Sequence, residues 1–310
     1  MSLLACAVAV ALAADKAPPA EKAPAEKVAP AKPITMGISQ PYGPEQAQKA
    51  KVLIEPYLTK ELKTQVTVTV FPTYDELSAA LAEGKVDLAW ITPLAFVQAN
   101  DKNAEVTALS KAMRQGGGGL FYRAVFIAKK GSSAANIADL KGKKVAWVNK
   151  SSTSGYLFPR EMIKKAGFEA DGFFASETMA GDHPAVCKAV KSGSADFGAT
   201  FAQDPGEGKQ PRADGCADAG GSLDDYKVVA ASGPIPNEVL ACRPDFAFDR
   251  KRTNGIIQVF GRMSLSDEGK RVLKDAFRVD GWGIAIDGDF DPVIDLLRAK
   301  NKKAKVAPAE

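Results

Sequence analysis

A run of hydroxyl side chains is the first feature of this sequence that could bind a ligand. The run consists of Ser151, Ser152, Thr153 and Ser154, followed by Gly155. It lies between a predicted buried strand at 142–148 and a predicted helix at 154–166. A helix start offers unpaired backbone N–H groups and the positive end of the helix dipole, so it attracts anions. The hydroxyls could donate to a tetrahedral oxyanion, or they could be an ordinary helix cap with additional serines.

The single histidine of the chain lies at a second predicted helix start. Asp182 can cap the helix predicted at 184–192, and Pro184 fits its first turn. This arrangement places His183 at the helix N-terminus. A lone histidine is more often a structural residue than a ligand group, but the rim shared with the hydroxyl run favours a binding role.

Alternating strands and helices predict the scaffold that positions these residues. The predicted elements are strands 34–38, 65–71 and 86–91, with helices that start at 44, 75 and 92. Such alternation at short loop spacing indicates a parallel α/β sheet. Ligands of these sheets bind beyond the carboxyl ends of the strands, which puts Tyr74 on the same rim.

The middle of the chain predicts a second α/β unit. An apolar strand at 120–128 follows the glycine run 116–119, and the second unit includes strands 142–148, 195–200 and 226–231. A loop is predicted at 204–222. The chain should leave the first unit near 122–128 and return near 237–242, and helices are predicted at 250–261, 267–275 and 291–299.

Composition and the chain ends limit the classes of function. The chain has 310 residues and a formal net charge of +4. Basic residues are mixed with acids, which argues against nucleic acid as a partner. The apolar N-terminus predicts an export signal at 1–13, with a lipid anchor at Cys6 as the alternative. A Pro/Ala/Lys/Glu linker is predicted at 14–33 and a flexible tail at 300–310.

Three motifs resemble the phosphonate/phosphite/phosphate-binding periplasmic proteins of ABC transporters. They are Ser-Thr-Ser-Gly-Tyr at 152–156, Gly-Asp-His-Pro-Ala-Val at 181–186 and Ile-Pro-Asn-Glu at 235–238. The resemblance implies a two-lobed type II periplasmic-binding fold. Each lobe should be a mostly parallel sheet flanked by helices, and two hinge crossovers should join the lobes. Lobe 1 would comprise 34–123 and 238–299, and lobe 2 would comprise 124–237.

The resemblance also assigns a function and binding residues. It implies a periplasmic monomer that captures a small phosphorus oxyanion and passes it to a permease. The residues that would bind the oxyanion are Ser152, Thr153, Ser154 and His183, assisted by Tyr74. Asp204 and Glu238 match acids that hold the amine of aminophosphonates. Phe96 replaces a second tyrosine of the family, and Asp182 departs from its usual Ser or Gly. An acid at 182 would repel a dianion unless it caps its own helix.

Two other classes of function are weighed against transport. A serine and a histidine invite a nucleophile–base interpretation, but the sequence contains no Gly-x-Ser-x-Gly motif. It also offers no metal-spaced cluster and no dinucleotide fingerprint, so neither a metal nor a cofactor is expected. An anion-sensing accessory or receptor subunit would have the same fold and remains the alternative to transport.

The cysteines predict one disulfide bond. Export favours oxidation, and removal of the signal leaves Cys187, Cys216 and Cys242. Cys187 lies one turn into the helix at the rim, near the predicted exit of the loop that carries Cys216. We therefore expect a Cys187–Cys216 bond and a reduced Cys242, with Cys216–Cys242 as the alternative.

Overall fold

The computed structural model describes residues 32–114, 119–286 and 288–304, with only the backbone described for 299–304. The predicted signal at 1–13, Cys6, most of the predicted linker and the end of the predicted tail lie outside these residues. Residues 116–118, which are most of the glycine run, also lie outside the described residues.

The described strands and helices are numbered here in chain order. The strands are β1 Ile34–Ile38, β2 Val66–Val70, β3 Leu88–Ile91, β4 Thr107–Met113, β5 Phe121–Lys129, β6 Lys144–Trp147, β7 Ser176–Met179, β8 Phe197–Gln203, β9 Tyr226–Ala231, β10 Ile235–Pro236, β11 Val239–Cys242 and β12 Gly281–Ile284. The helices are α1 Pro44–Leu62, α2 Tyr74–Ala82, α3 Pro93–Lys102, α4 Phe158–Lys165, α5 His183–Ser192, α6 Pro244–Ala247, α7 Arg250–Arg262, α8 Asp267–Val272 and α9 Asp291–Ala304. A π-helical turn at Thr153–Leu157 leads into α4.

The first sheet has the strand order β12-β4-β11-β3-β1-β2. β1 pairs in parallel with both β2 and β3, as the strand–helix alternation predicts. β11 pairs antiparallel with β3 and β4, and β12 pairs antiparallel with β4. The expectation of a mostly parallel sheet is therefore wrong. The reason is that the chain leaves this sheet through β4 and re-enters it through β11, so these neighbouring strands run in opposite directions.

The second sheet has the order β10-β5-β8-β6-β7, with β9 also paired to β5. β6 pairs in parallel with β7 and β8, whereas β5 pairs antiparallel with β8, β9 and β10. This sheet is also mixed rather than mostly parallel. The cause is the same, since the chain enters the sheet through β5 and leaves it through β10.

The two connections between the sheets lie close together. The predicted first crossover at 122–128 is a continuous part of β5, so the chain crosses earlier, between Met113 and Phe121. The second connection lies between β10 and β11. Its Asn237 side chain donates to the carbonyls of Ala112 and Gly119, at 3.0 and 2.9 Å. One buried amide thus ties both connections to each other.

Helix starts gather at the carboxyl ends of parallel strands, where the sequence places the binding rim. α2 and α3 follow β2 and β3 in the first sheet, while the π-helical turn and α5 follow β6 and β7 in the second.

Sequence patterning missed β4 and β7. The sequence of β4 is Thr-Ala-Leu-Ser-Lys-Ala-Met, in which polar residues mask a central strand, and β7 is exposed throughout.

The described residues contain one disulfide bond. Cys187 and Cys216 form a disulfide with a Cα–Cα distance of 5.4 Å, and Cys242 is buried and free, which confirms the predicted pairing.

α9 continues to Ala304, so the first residues of the predicted tail are helical. Their sequence contains no proline or glycine that would end the helix earlier. Within the described ranges, no helix is both long and apolar enough to cross a membrane.

Candidate functional site

Three of the four residues in the hydroxyl run form a capped and buried helix start. Ser152 is the N-cap, and its hydroxyl oxygen accepts the N–H of Gly155 at 3.0 Å. Ser152, Thr153 and Ser154 are all buried. Gly155 is required for packing, because a Cβ at this position would lie 2.4 Å from the side chain of Val148. The capping interpretation is therefore confirmed for Ser152, whose own O–H can still donate to another group.

The start of α3 meets this run from the first sheet. The backbone N–H of Leu94, in the first turn of α3, donates to Thr153 Oγ1 at 3.1 Å. Thr92 caps the same helix by accepting the N–H of Ala95 at 3.4 Å. Thr153 Oγ1 thus accepts from a helix on the other lobe, so its hydroxyl proton can be donated to the neighbouring Tyr122 hydroxyl or to a ligand.

Two buried tyrosines border the run. Burial, and next the charge of Glu238, raise the pKa of the Tyr74 and Tyr122 hydroxyls above the ordinary value. Hydrogen bonds with Ser154 and Thr153 partly offset this rise at Tyr122. Both phenols are therefore protonated at neutral pH and can act as hydrogen-bond donors. The sequence predicts Tyr74 as a site residue but misses Tyr122, which lies in an apolar strand that shows only a structural pattern.

His183 joins the cluster as a neutral imidazole. Its Nδ1 lies 2.8 Å from Thr200 Oγ1, and its ring meets the Phe201 ring edge-to-face at 4.9 Å. Burial, and next the charge of Arg114, lower the pKa of His183 to about 3. Asp182 accepts the N–H of Ala185 at 2.8 Å, so this acid caps its own helix, as required for it to sit near an anion.

A buried ion pair lies beside the tyrosines. Arg114 Nη2 is 2.7 Å from Glu238 Oε1, and the two side chains are only 5% and 18% exposed. Arg114 also donates to the Tyr42 hydroxyl at 3.3 Å and to the carbonyl of Arg278 at 2.9 Å. The family resemblance assigns Glu238 to the site, but the sequence gives no signal for Arg114, which precedes the glycine run.

Asp204 is held away from this cluster. Its carboxylate is 3.2 Å from Arg123 and accepts the N–H of Gly206 at 3.3 Å. Arg123 and Tyr122 are neighbours in β5 and so point to opposite faces of the sheet. Asp204 lines a depression of about 330 Å³ that none of the other predicted site residues lines. The structure therefore brings together all the predicted residues except Asp204.

The surroundings of the cluster define its boundary. Phe96, at the position where the resemblance implies a second tyrosine, packs against Phe290 with ring centroids 4.7 Å apart and offers no hydroxyl. A cavity of about 180 Å³ touches the cluster at Tyr74 and Asp182. A groove of about 1080 Å³ approaches from the side of Arg114. Over the described ranges, no group of three or more His, Cys, Asp or Glu side chains could hold a metal ion.

The contacts across the cluster connect the two lobes. Besides the Leu94–Thr153 bond, Arg278 of the first lobe pairs with Asp218 of the second, where Nη2 and Oδ1 are 3.0 Å apart. Ser151 also donates to Asp75. The candidate site therefore lies between elements of both lobes.

Two curated proteins are similar in sequence to about half of this chain. The phosphate-import protein PhnD of Mycolicibacterium smegmatis is 32% identical over 151 residues, which is 46% of this chain and 47% of that protein. The probable ABC transporter phosphite binding protein PhnD1 of Prochlorococcus marinus is 29% identical over 154 residues, or 46% and 50% of the two chains. These alignments span about half the length of the curated relatives.

The fold similarity extends much further than these alignments. The solved structure of PhnD1 from Prochlorococcus marinus in complex with methylphosphonate has a TM-score of 0.73 at 20% identity. It covers 87% of this chain and 99% of that chain. This likeness shows the two-lobed type II periplasmic-binding fold. The sequence profile of one family matches residues 36–290, which is most of the chain. The chain therefore belongs to the phosphonate-binding family, the periplasmic substrate-binding proteins of ABC transporters.

Proposed function

We propose that this chain captures a small tetrahedral phosphorus oxyanion (phosphonate, phosphite or phosphate) between its lobes and delivers it to an ABC-transporter permease. The observation that carries the proposal is the convergence of buried, neutral donors from both lobes. These donors are the hydroxyls of Ser152, Thr153, Ser154, Tyr74 and Tyr122, with the imidazole of His183.

The donor set suits a dianion because its dipoles are already oriented. When the Thr200 hydroxyl donates to Nδ1 of His183, the ring proton lies on Nε2 and can be donated to an oxyanion. Fixed neutral donors and helix N-termini bind charged oxygens strongly without a formal positive charge on each donor. Closure of the lobes excludes water and strengthens each of these bonds.

The relatives support the same class of ligand. One is named for phosphate import and another for phosphite binding, and a solved relative holds methylphosphonate. The shared tetrahedral phosphorus group is the chemistry that the donors would recognise. For the cellular location, we propose export by the segment 1–13, with a lipid anchor at Cys6 as the alternative.

Isothermal titration calorimetry would test the proposal directly. The chain without residues 1–13 would be titrated with phosphite, phosphate and methylphosphonate, with sulfate as the tetrahedral control that lacks phosphorus. We expect saturable binding of at least one phosphorus oxyanion and much weaker binding of sulfate. No binding to any of the three would refute the proposed ligand class.

Two variants and a matched control would locate the site. Thr153→Ala and His183→Ala should each weaken binding by about 1–3 kcal/mol, the value of a hydrogen bond to a charged group. Thr107→Ala removes an exposed hydroxyl of β4 and should leave the affinity unchanged. Unchanged affinity in both site variants would show that the oxyanion binds elsewhere.

A further inference from the structure

Both acids that the family resemblance assigns to a ligand amine are already paired within this chain. Glu238 Oε1 is 2.7 Å from Arg114. Asp204 contacts Arg123 through both carboxylate oxygens, at 3.2 and 3.4 Å. Each carboxylate that the resemblance assigns to a ligand amine is therefore occupied by an arginine, and only Glu238 lies in the cluster of candidate donors.

Arg114 is fixed in this position by contacts on several sides. It donates to the carbonyl of Arg278 and to the Tyr42 hydroxyl, and its guanidinium carbon lies 5.9 Å from the centre of the Phe201 ring. A guanidinium stays charged at every physiological pH. Arg114 thus acts as a permanent cation that cannot swing away without breaking several buried contacts.

The second oxygen of Glu238 does not restore an amine site. Oε2 is buried and has no hydrogen-bond partner among the described residues. An ammonium on Oε2 would lie beside the guanidinium on Oε1, so repulsion between the two cations would offset much of its attraction to the carboxylate. A neutral donor, such as the P–O–H group of a protonated oxyanion, would not meet this repulsion.

The ion pair lies close enough to influence the oxyanion donors. The charge of Glu238 contributes to the raised pKa of Tyr74 and Tyr122, and the charge of Arg114 contributes to the lowered pKa of His183. Any substituent on a phosphorus bound among these donors would therefore sense the Arg114–Glu238 pair.

We propose that Arg114 is a built-in counter-ion that makes the site select phosphorus oxyanions without a cationic substituent. Phosphate, phosphite and short alkylphosphonates would be preferred over aminoalkylphosphonates. This inference rests on the proposed function and narrows its class of ligand.

A comparison of two ligands of similar size tests the inference in the unmodified protein. Calorimetry with methylphosphonate and 2-aminoethylphosphonate should give roughly tenfold or tighter affinity for methylphosphonate. Tighter binding of 2-aminoethylphosphonate would overturn this inference and leave the proposed function intact. If neither ligand, nor phosphate, nor phosphite binds, the proposed function falls and the inference falls with it.

Variants of the ion pair test its cause. Arg114→Met frees the Glu238 carboxylate and should raise the affinity ratio of 2-aminoethylphosphonate to methylphosphonate by roughly tenfold. The double variant Arg114→Met/Glu238→Gln should lose that gain. Arg123→Met, which breaks the ion pair with Asp204 outside the cluster, should leave the ratio unchanged.

The two variants also distinguish a change in ligand preference from a folding defect. Arg114→Met leaves a buried carboxylate unpaired and could unfold the protein, whereas the double variant removes both charges. Circular dichroism of each variant would show which are folded. The inference would be overturned if folded Arg114→Met showed an unchanged affinity ratio of 2-aminoethylphosphonate to methylphosphonate. It would also be overturned if the folded double variant still bound 2-aminoethylphosphonate more tightly.

Discussion

Acidification should destabilise this protein through His183. Burial and Arg114 lower the pKa of the folded imidazole to about 3, whereas an unfolded histidine titrates near about 6.5. Below about pH 6.5 the unfolded chain binds a proton that the folded chain does not bind, so stability is lost as the pH falls through this window. At about pH 5 the loss is about 2 kcal/mol, since each pH unit below the unfolded pKa costs about 1.4 kcal/mol. This value depends little on the folded pKa, provided that it lies well below 5.

Urea unfolding at about pH 7.5 and about pH 5 would measure the loss. The matched variant is His183→Gln, which keeps a neutral polar side chain but cannot titrate. Burial raises the pKa of the Asp214 carboxyl, so this group favours the folded state as the pH falls. It does so equally in the unmodified protein and in His183→Gln. The difference between the two proteins therefore isolates His183, the single histidine of the chain. An equal loss of stability in both proteins would refute a neutral buried imidazole.

Three further predictions concern the site, the closure of the lobes and the disulfide. Thr153→Val keeps the shape of the side chain but removes its hydroxyl, so calorimetry should show binding weakened by about 1–3 kcal/mol, and unchanged affinity would exclude a direct role. Arg278→Ala removes an ion pair between the lobes and should favour the open form, seen as a larger radius of gyration in small-angle scattering. Lys60→Ala breaks an ion pair within the first lobe and should leave that radius unchanged, and equal radii in the two variants would count against closure by this contact. Replacing Cys187 and Cys216 by Ala opens a loop with a sequence separation of 29 and should lower the unfolding free energy by roughly 3–4 kcal/mol, whereas an unchanged urea midpoint would show that the bond adds no stability.

Local sequence signals predict the binding rim because each one acts within a few residues. The hydroxyl run, the Asp182 cap before His183 and the strand–helix boundary before Tyr74 all specify helix starts from neighbouring residues. Alternation of these elements then implies parallel strands, whose carboxyl ends meet on one side. The predicted Ser152, Thr153, Ser154, His183 and Tyr74 meet for this reason.

The antiparallel strands could not be read from the same signals. Patterning shows that 120–128 and 239–242 are apolar strands, but strand direction depends on how the chain passes between the sheets. β4 carries no apolar alternation because its Lys111 is buried against Asp289, at 2.6 Å. A buried charged residue breaks the alternation of buried apolar and exposed polar residues on which strand prediction depends.

Motifs and local patterns were enough to predict the family, the order of the strands and helices apart from β4 and β7, and the residues that begin the helices at the rim. The charged groups beside these residues depend on tertiary packing. Arg114 and Glu238 are 124 residues apart in the chain, and His183 and Thr200 lie on different elements. Contacts between such distant residues depend on the packing of both sheets, which no local pattern encodes. The family resemblance likewise assigned Glu238 and Asp204 to a ligand, whereas packing pairs each of them with an arginine of the chain.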